Sequence, residues 1–382
     1  MPRPILYIQH TADLYGASRA LLNLLGALDR GTYTPLVALP GPGPLTEHLR
    51  ALDVPVIAAP YLQTLWGHIF RSWRVLPFAA RQVPAALALR RVIRQHEIAL
   101  VHSNVWTVLT GAFGARAAGV PHLWHVREVL PRMGGMKAGL VQLTLRNAAR
   151  VVCISEAVAA QFAGHRSERV RVIYDGLPLG PARPPEPPHS PLRVGLVGRL
   201  HPQKGQADLL HAFAMLPADL RAASRILLVG GASHGQEAQP AALAALANSL
   251  GIASQVEFCG FVAQPEQLIR SLDLLVLPAT RAEGLGGVLL EAMAAQVPVL
   301  ASAVGGIREI VADGENGVLV PPQQPAALAA ALERLLRDPH ERARLALAGR
   351  ATVEQRFSAP TMAAHIEGVY RELLAAPYAH RS

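Results

Sequence analysis

The stretch LLVLPATRAEGLGGVLLEAMAAQVPVLAS, residues 274–302, holds a complete crossover unit: an apolar run ending at Pro278, a glycine-rich loop, an apolar helical segment and a second apolar run. The runs LLVLPA and VPVLAS are continuously apolar instead of alternating, which is the pattern of parallel strands covered on both faces. The same rhythm recurs outward in both directions. GVLVP follows, and LRVGLVGR, SRILLVG and QVEFCGF precede, each with a segment of helical period after it. An earlier series, PILYIQH, PLVALP, VPVIAAP, IALVHSN, PHLWHV, RVVCIS and VRVIYDG, alternates with alanine- and leucine-rich stretches in the same way. The sequence therefore predicts an α/β chain of two doubly wound, Rossmann-like domains.

Between the two series lies LPLGPARPPEPPHSP (177–191), with seven prolines in fifteen residues; it suits neither helix nor strand and reads as a linker. The expected organisation is a domain over 1–176, the linker 177–191, a second domain over 192–357, and a final helix in 358–382 long enough to cross back over the first domain. Open parallel sheets bind ligands at the carboxyl ends of their strands, so the expected active site is the cleft between the domains.

Composition narrows the class. A chain of 382 residues that is 51% hydrophobic and 16% charged excludes a disordered or collagen-like protein. Cys153 and Cys259 both sit in apolar runs and read as buried, reduced thiols, which excludes a disulfide scaffold or a zinc cluster. No stretch resembles a signal peptide or a bilayer-spanning helix, so the expected location is cytoplasmic. The net charge of +9 is uneven: residues 1–180 carry 19 Lys and Arg against 9 Asp and Glu, or +10, whereas residues 181–382 carry 17 against 18, or −1.

Four groups of residues could carry chemistry. Within 274–302, Glu283, Gly284, Leu285, Gly286, Gly287 and Val288 form the loop and helix start. Glycines there admit a ligand close to backbone amides, and the helix start adds a positive dipole end, a cradle suited to a diphosphate. Glu291 is the only charge between Gly284 and Ile307. Buried among Leu289, Leu290, Ala292 and Met293, its carboxylate needs donors, either ligand hydroxyls or neighbouring backbone. In LRVGLVGRLHPQKG, Arg199 and Lys204, one of only two lysines, follow a strand end, where two cations suit a dianionic phosphate pair. Gly16 in HTADLYGASRALLNLL lies between strand and helix, and His125 in PHLWHVRE ends a strand and could face the cleft, although a lone histidine beside a tryptophan is more often a satisfied core or surface residue. His122 and His125 point to opposite faces of that strand and no carboxylates gather beside them, so no metal site is expected. No GxGxxG follows the first strand, which argues against a nicotinamide dehydrogenase.

Together these motifs resemble a known family. EGLGGVLLEA, with Glu283 and Glu291 eight apart, is similar to the E-x7-E signature of retaining glycosyltransferases of family 4, which have the two-domain GT-B fold. GRLHPQKG resembles that family's Arg-Lys phosphate motif, and VLASAVGGIREIVADGENGVLVPP its segment after the second glutamate. Weaker likenesses are carried by DLYGASRALLNL, VVCISEAVA and VIYDGL. The resemblance implies a nucleoside-diphosphate sugar, UDP- or GDP-linked, as donor. By it, Glu291 holds the ribose hydroxyls and Glu283 those of the transferred sugar, while Arg199 and Lys204 clamp the diphosphate. The amides of Leu285, Gly286, Gly287 and Val288, with Gly16 from the other domain, complete the donor site, and His125 matches the family's histidine near the donor sugar. It further implies transfer with retention and no cofactor or metal. Tyr15 stands where the family usually has glycine, Gly287 where a bulkier apolar residue is common, and Asp175 where asparagine is frequent.

The acceptor side reads from residues 66–94. Between Asp53 and Glu97 there are no acids but six arginines, Arg71, Arg74, Arg81, Arg90, Arg91 and Arg94, with Trp66, Phe70 and Trp73 among five aromatics. Such a stretch suits an anionic membrane surface, and with it a glycan or lipid-linked acceptor and a peripheral location on the membrane's inner face; the alternative is a solvated arginine face over core aromatics. Nucleic acid is not expected, because no recognised binding module accompanies the charge. The leading reading is a glycosyltransferase of surface polysaccharide or lipid-linked glycan biosynthesis. The alternatives are a GT-B sugar-phosphate synthase or phosphorylase, and a non-catalytic nucleotide-sugar-binding subunit.

Overall fold

The computed structural model describes residues 2–65, 75–130, 135–165, 168–181, 188–232 and 235–375. Every apolar run named above is a strand. The first seven are β1 (Arg3–Ile8), β2 (Tyr33–Leu39), β3 (Val56–Ala58), β4 (Leu100–Ser103), β5 (His122–Val126), β6 (Arg150–Cys153) and β7 (Val170–Val172). They form one parallel sheet in the order β3-β2-β1-β4-β5-β6-β7. The other six are β8 (Leu192–Val197), β9 (Ser224–Val229), β10 (Val256–Gly260), β11 (Leu274–Leu277), β12 (Val299–Ser302) and β13 (Val318–Val320). These form a second parallel sheet, β10-β9-β8-β11-β12-β13. β4, β5, β11 and β12 are buried at every position, as helices on both faces of a parallel sheet require.

The chain divides into two compact units, residues 1–178 with 359–382, and residues 179–358. Helix Ala359–Ala375 belongs to the first unit, where Met362, Ile366 and Tyr370 share a core with Leu21, Leu24 and Leu25 of helix Gly16–Ala27. The core of the second unit gathers Val194, Leu196, Phe213, Leu274 and Val276 under helices Gln206–Ala214 and Pro325–Arg337. Of the linker, residues 182–187 lie outside the described residues.

The expectation of two buried thiols needs correction. Cys153 is buried in β6, but Cys259 is only half-buried, because β10 is an edge strand whose Glu257 and Phe258 are exposed. In each sheet the strand order reverses beside a central strand, between β1 and β4 and between β8 and β11. Loops leaving such a pair diverge and open a crevice at the carboxyl ends.

Candidate functional site

In the second unit the two loops that leave the switch point, after β8 and after β11, are tied to each other. Thr280 donates its backbone N–H to the carbonyl of Gln203 at 2.9 Å, and the Gln203 amide reaches the carbonyl of Ala282 at 3.4 Å. His201 caps a short 3-10 turn, Pro202–Lys204, by accepting from the Gln203 N–H. Gly205 then takes φ 74°, and a Cβ there would stand 1.9 Å from the carbonyl oxygen of Pro278, so only glycine lets the β8 loop lie against the end of β11. Gln206, fully buried, holds the carbonyl of Arg199 at 3.0 Å.

These contacts bring together two residues 79 positions apart. Lys204 Nζ lies 2.9 Å from Glu283 Oε1, with side chains only 20% and 12% exposed. The contact is an ion pair off hydrogen-bond geometry, since Oε1 is buried without a hydrogen-bond partner. Beneath it, Gly305 and Gly306 follow β12, and Gly306 donates its N–H to the carbonyl of Glu283 at 3.0 Å. A Cβ on Gly305 would meet that carbonyl oxygen at 2.3 Å, and one on Gly306 the oxygen of Gly284 at 2.2 Å. In the sequence this Gly-Gly pair stands out only as part of a longer likeness; in the structure it is the floor of the Glu283 loop.

Leu285 is buried, Gly286 precedes the helix Gly287–Ala294 as its N-cap, and Val288 is half-buried in the first turn. The first amides of a helix have no intrahelical acceptor, and no acidic side chain occupies this first turn. Gly287 is exposed, and a Cβ added to it would meet nothing within 4 Å, so its backbone is open to a ligand. Glu291 is half-buried, not enclosed: Leu289, Leu290, Ala292 and Met293 turn inward while Glu291 sits on the other face of the same helix. Arg199 is exposed at the β8 end. Nearby His201 is held below its ordinary pKa by burial and by the cations Arg199 and Lys204.

In the first unit, Gly16 starts helix Gly16–Ala27 and is exposed behind Tyr15, which is 39% exposed. His125 is fully buried. Its Nδ1 lies 3.2 Å from His102 Nε2 and 3.4 Å from Arg127, and its Nε2 is buried without a hydrogen-bond partner. Burial, then the positive Arg127, push both His102 and His125 well below the ordinary histidine value, so both rings are neutral at pH 7.

Sequence reasoning missed what surrounds them. Arg127 bonds both Asn104 and Asp175, Asn104 reaches Gln9, Gln9 reaches Ser18, and Ser18 reaches Asp13, a polar chain across the strand ends of the first unit, buried in its middle and half-buried at Asp13 and Asp175. Asp175, which in the sequence is only a departure from a frequent asparagine, is thus the counter-ion of Arg127. That departure was the one signal that could have found it. Among the described residues no cluster of three or more His, Cys, Asp or Glu could hold a metal ion.

Comparison with known proteins agrees with this architecture. Residues 15–180 match the model of Glycosyltransferase Family 4 and residues 183–352 that of Glycosyl transferases group 1. A D-inositol 3-phosphate glycosyltransferase of Frankia alni is 42% identical over 47% of this chain and 47% of its own length. One of Acidothermus cellulolyticus is 32% identical over 72% of this chain and 67% of its own. The chain thus spans from about half to two thirds of these relatives. Among solved structures, Anabaena HepE in complex with UDP-glucose is 26% identical with a TM-score of 0.80, covering 97% of this chain and 99% of that one. With both halves matched in order and two parallel doubly wound units, the chain belongs to glycosyltransferase family 4 and has the GT-B fold.

Proposed function

We propose that the chain is a retaining glycosyltransferase that moves a sugar from a UDP-sugar to an acceptor hydroxyl in surface polysaccharide or lipid-linked glycan biosynthesis. The observation that carries this reading is the Lys204–Glu283 pair beside the amide-rich start of helix Gly287–Ala294, at the switch point between β8 and β11. The likeness to HepE in complex with UDP-glucose supports a uridine donor.

Arg199 and Lys204 neutralise the donor diphosphate, and the amides of Leu285, Gly286, Gly287 and Val288 receive phosphate oxygens at the positive helix end. Glu291 accepts hydrogen bonds from the ribose hydroxyls and Glu283 from those of the transferred sugar. As the bond to the anomeric carbon breaks, charge builds on the leaving phosphate where Arg199 and Lys204 already lie, so they stabilise it most in the transition state. The acceptor hydroxyl attacks from the face that the diphosphate leaves, and the leaving phosphate oxygen takes its proton. His125, sealed and neutral, acts as a positioning residue beneath the end of β5. No metal enters this scheme.

A thermal-shift panel with UDP, GDP, ADP, TDP and CMP, with and without magnesium, tests the donor. Stabilisation by UDP without magnesium is the expected result; no shift with any nucleotide would overturn the reading. Proton NMR of the product then reads retention from its anomeric coupling, and an inverted product would refute the mechanism.

A further inference from the structure

Three helices of the first unit carry every sign of a surface built for one kind of neighbour. Val75–Gln95, Thr110–Ala118 and Gly135–Asn147 contain Arg81, Arg90, Arg91, Arg94, Arg116, Lys137 and Arg146, and no aspartate or glutamate. Between them runs a groove of about 750 Å³, walled by Phe78, Val83, Leu87, Phe113, Leu140 and Leu143. Val83 and Leu87 are 65% and 47% exposed, and nearby Met136 is 39% exposed.

The groove offers hydrogen bonds to nothing. Its one polar lining side chain, Gln82, is buried and spent internally, donating to the carbonyl of Phe78 and accepting from the Thr110 hydroxyl at 3.0 Å. A peptide strand, a sugar or a nucleotide would bring polar groups that find no partner there, at a cost of desolvation. A hydrocarbon chain brings none. An apolar slot of this size left open to water is costly unless something apolar fills it, and the cations on the helices that wall it select a neighbour that is negatively charged beside its hydrocarbon. Arg91 and Arg94 are exposed on the last turns of the helix whose earlier turns present Val83 and Leu87, so charge and apolar contact are offered along one helix.

We propose that this groove seats an acyl chain of an anionic bilayer lipid, with exposed Arg91 and Arg94 of the same helix on the phosphates of the membrane surface. Residues 66–74 of the cationic, aromatic stretch lie outside the described residues; helix Val75–Gln95 and its two neighbours carry the site without them. Docking there would hold the chain against a membrane that bears a lipid-linked acceptor, and for that purpose the site rests on the glycosyltransferase reading.

The test is sedimentation of the full chain with vesicles of phosphatidylcholine alone or mixed with phosphatidylglycerol, without donor. The wild type should bind the mixed vesicles, more weakly at high salt. Val83→Asp/Leu87→Asp, both at exposed positions, should weaken binding by at least about tenfold, and Arg91→Ala/Arg94→Ala by roughly fivefold per arginine at low salt. Brominated acyl chains should quench the emission added by Leu87→Trp. Unchanged binding of Val83→Asp/Leu87→Asp, or an unquenched Leu87→Trp in bound protein, would overturn the groove as a lipid seat. So would a wild type that ignores every vesicle, or a dimer dissolved by Val83→Asp, which would give the groove to a second copy. The UDP thermal shift of the same variants is read separately: if it survives while vesicle binding fails, the groove falls and the donor reading stands.

Discussion

Lys204→Ala is expected to unfold the second unit more readily than the loss of a surface lysine would, and Glu283→Gln should repair the damage. At 2.9 Å and an effective dielectric of about 20, the gross attraction in the Lys204–Glu283 pair is about 6 kcal/mol. Desolvation offsets most of this in the intact protein, so the pair is of small net value. Removing only the lysine is different, because a carboxylate 12% exposed, with Oε1 lacking any hydrogen-bond donor, is left without its counter-charge. That should cost about 2–4 kcal/mol, or roughly 5–15 °C in Tm. In Lys204→Ala/Glu283→Gln the buried charge is gone, and stability should return to within about 1 kcal/mol of wild type. Turnover, followed as consumption of UDP-sugar, should be lost in Lys204→Ala and in the double variant alike. Glu283→Gln alone carries a further sign: with Lys204 released to the diphosphate, UDP should bind up to about tenfold more tightly, although transfer falls. Differential scanning fluorimetry and UDP titration measure both. A Lys204→Ala protein as stable as wild type, or a Glu283→Gln change that fails to restore it, would refute the buried-pair argument.

Three further outcomes follow from the same geometry. Gly205→Ala and Gly305→Ala should each cost at least about 2 kcal/mol and abolish UDP binding, because each Cβ would enter a backbone oxygen at 1.9 Å or 2.3 Å. Gly287→Ala, with open space around it, should leave stability within about 0.5 kcal/mol; denaturant titration separates the two classes. Asp175→Ala leaves Arg127, 6% exposed, without its carboxylate and should destabilise the first unit by about 1–3 kcal/mol, less than a lone buried charge because Asn104 still holds the guanidinium. His102, His122 and His125 are all buried with depressed pKa values, His122 at about 3, so the folded state binds fewer protons than the unfolded one as pH falls below about 6.5. Stability of the first unit should then drop by up to about 4 kcal/mol per pH unit, seen as a falling urea midpoint between neutral and mildly acidic pH; a flat profile would mean that the rings are charged or exposed.

What the sequence reveals and what it conceals follow from how each feature is encoded. The central strands β4, β5, β11 and β12 were legible because a strand covered on both faces is apolar along its length, a local property that needs no knowledge of partners, and the outer strands followed from the same rhythm. Cys259 misled for the same reason in reverse: QVEFCGF has the composition of a covered strand, and only its place at the sheet edge, a non-local fact, leaves Cys259 half-exposed. His125 sits at a strand end with its ring buried beside His102 and Arg127, partners that its local sequence does not name.

The candidate site divides along the same line. Each half of it was visible as a local motif, Arg199 and Lys204 after one strand and Glu283 to Glu291 after another, but nothing in either motif states that a lysine and a glutamate 79 positions apart neutralise each other. That contact depends on β8 and β11 being neighbours although β9 and β10 intervene in the chain, which is the reversal of strand order itself. The same reversal sets the loop that carries both cations beside the segment that carries both glutamates. Gly205, Gly305 and Gly306 bring backbone close enough to fill the base of these loops without side chains. The ion pair then holds the Lys204 and Glu283 side chains in register. Under the proposed function, a donor bringing a diphosphate to Lys204 and hydroxyls to Glu283 would replace one partner of each at once, so the charge that neutralises Glu283 would already lie where the leaving phosphate needs it.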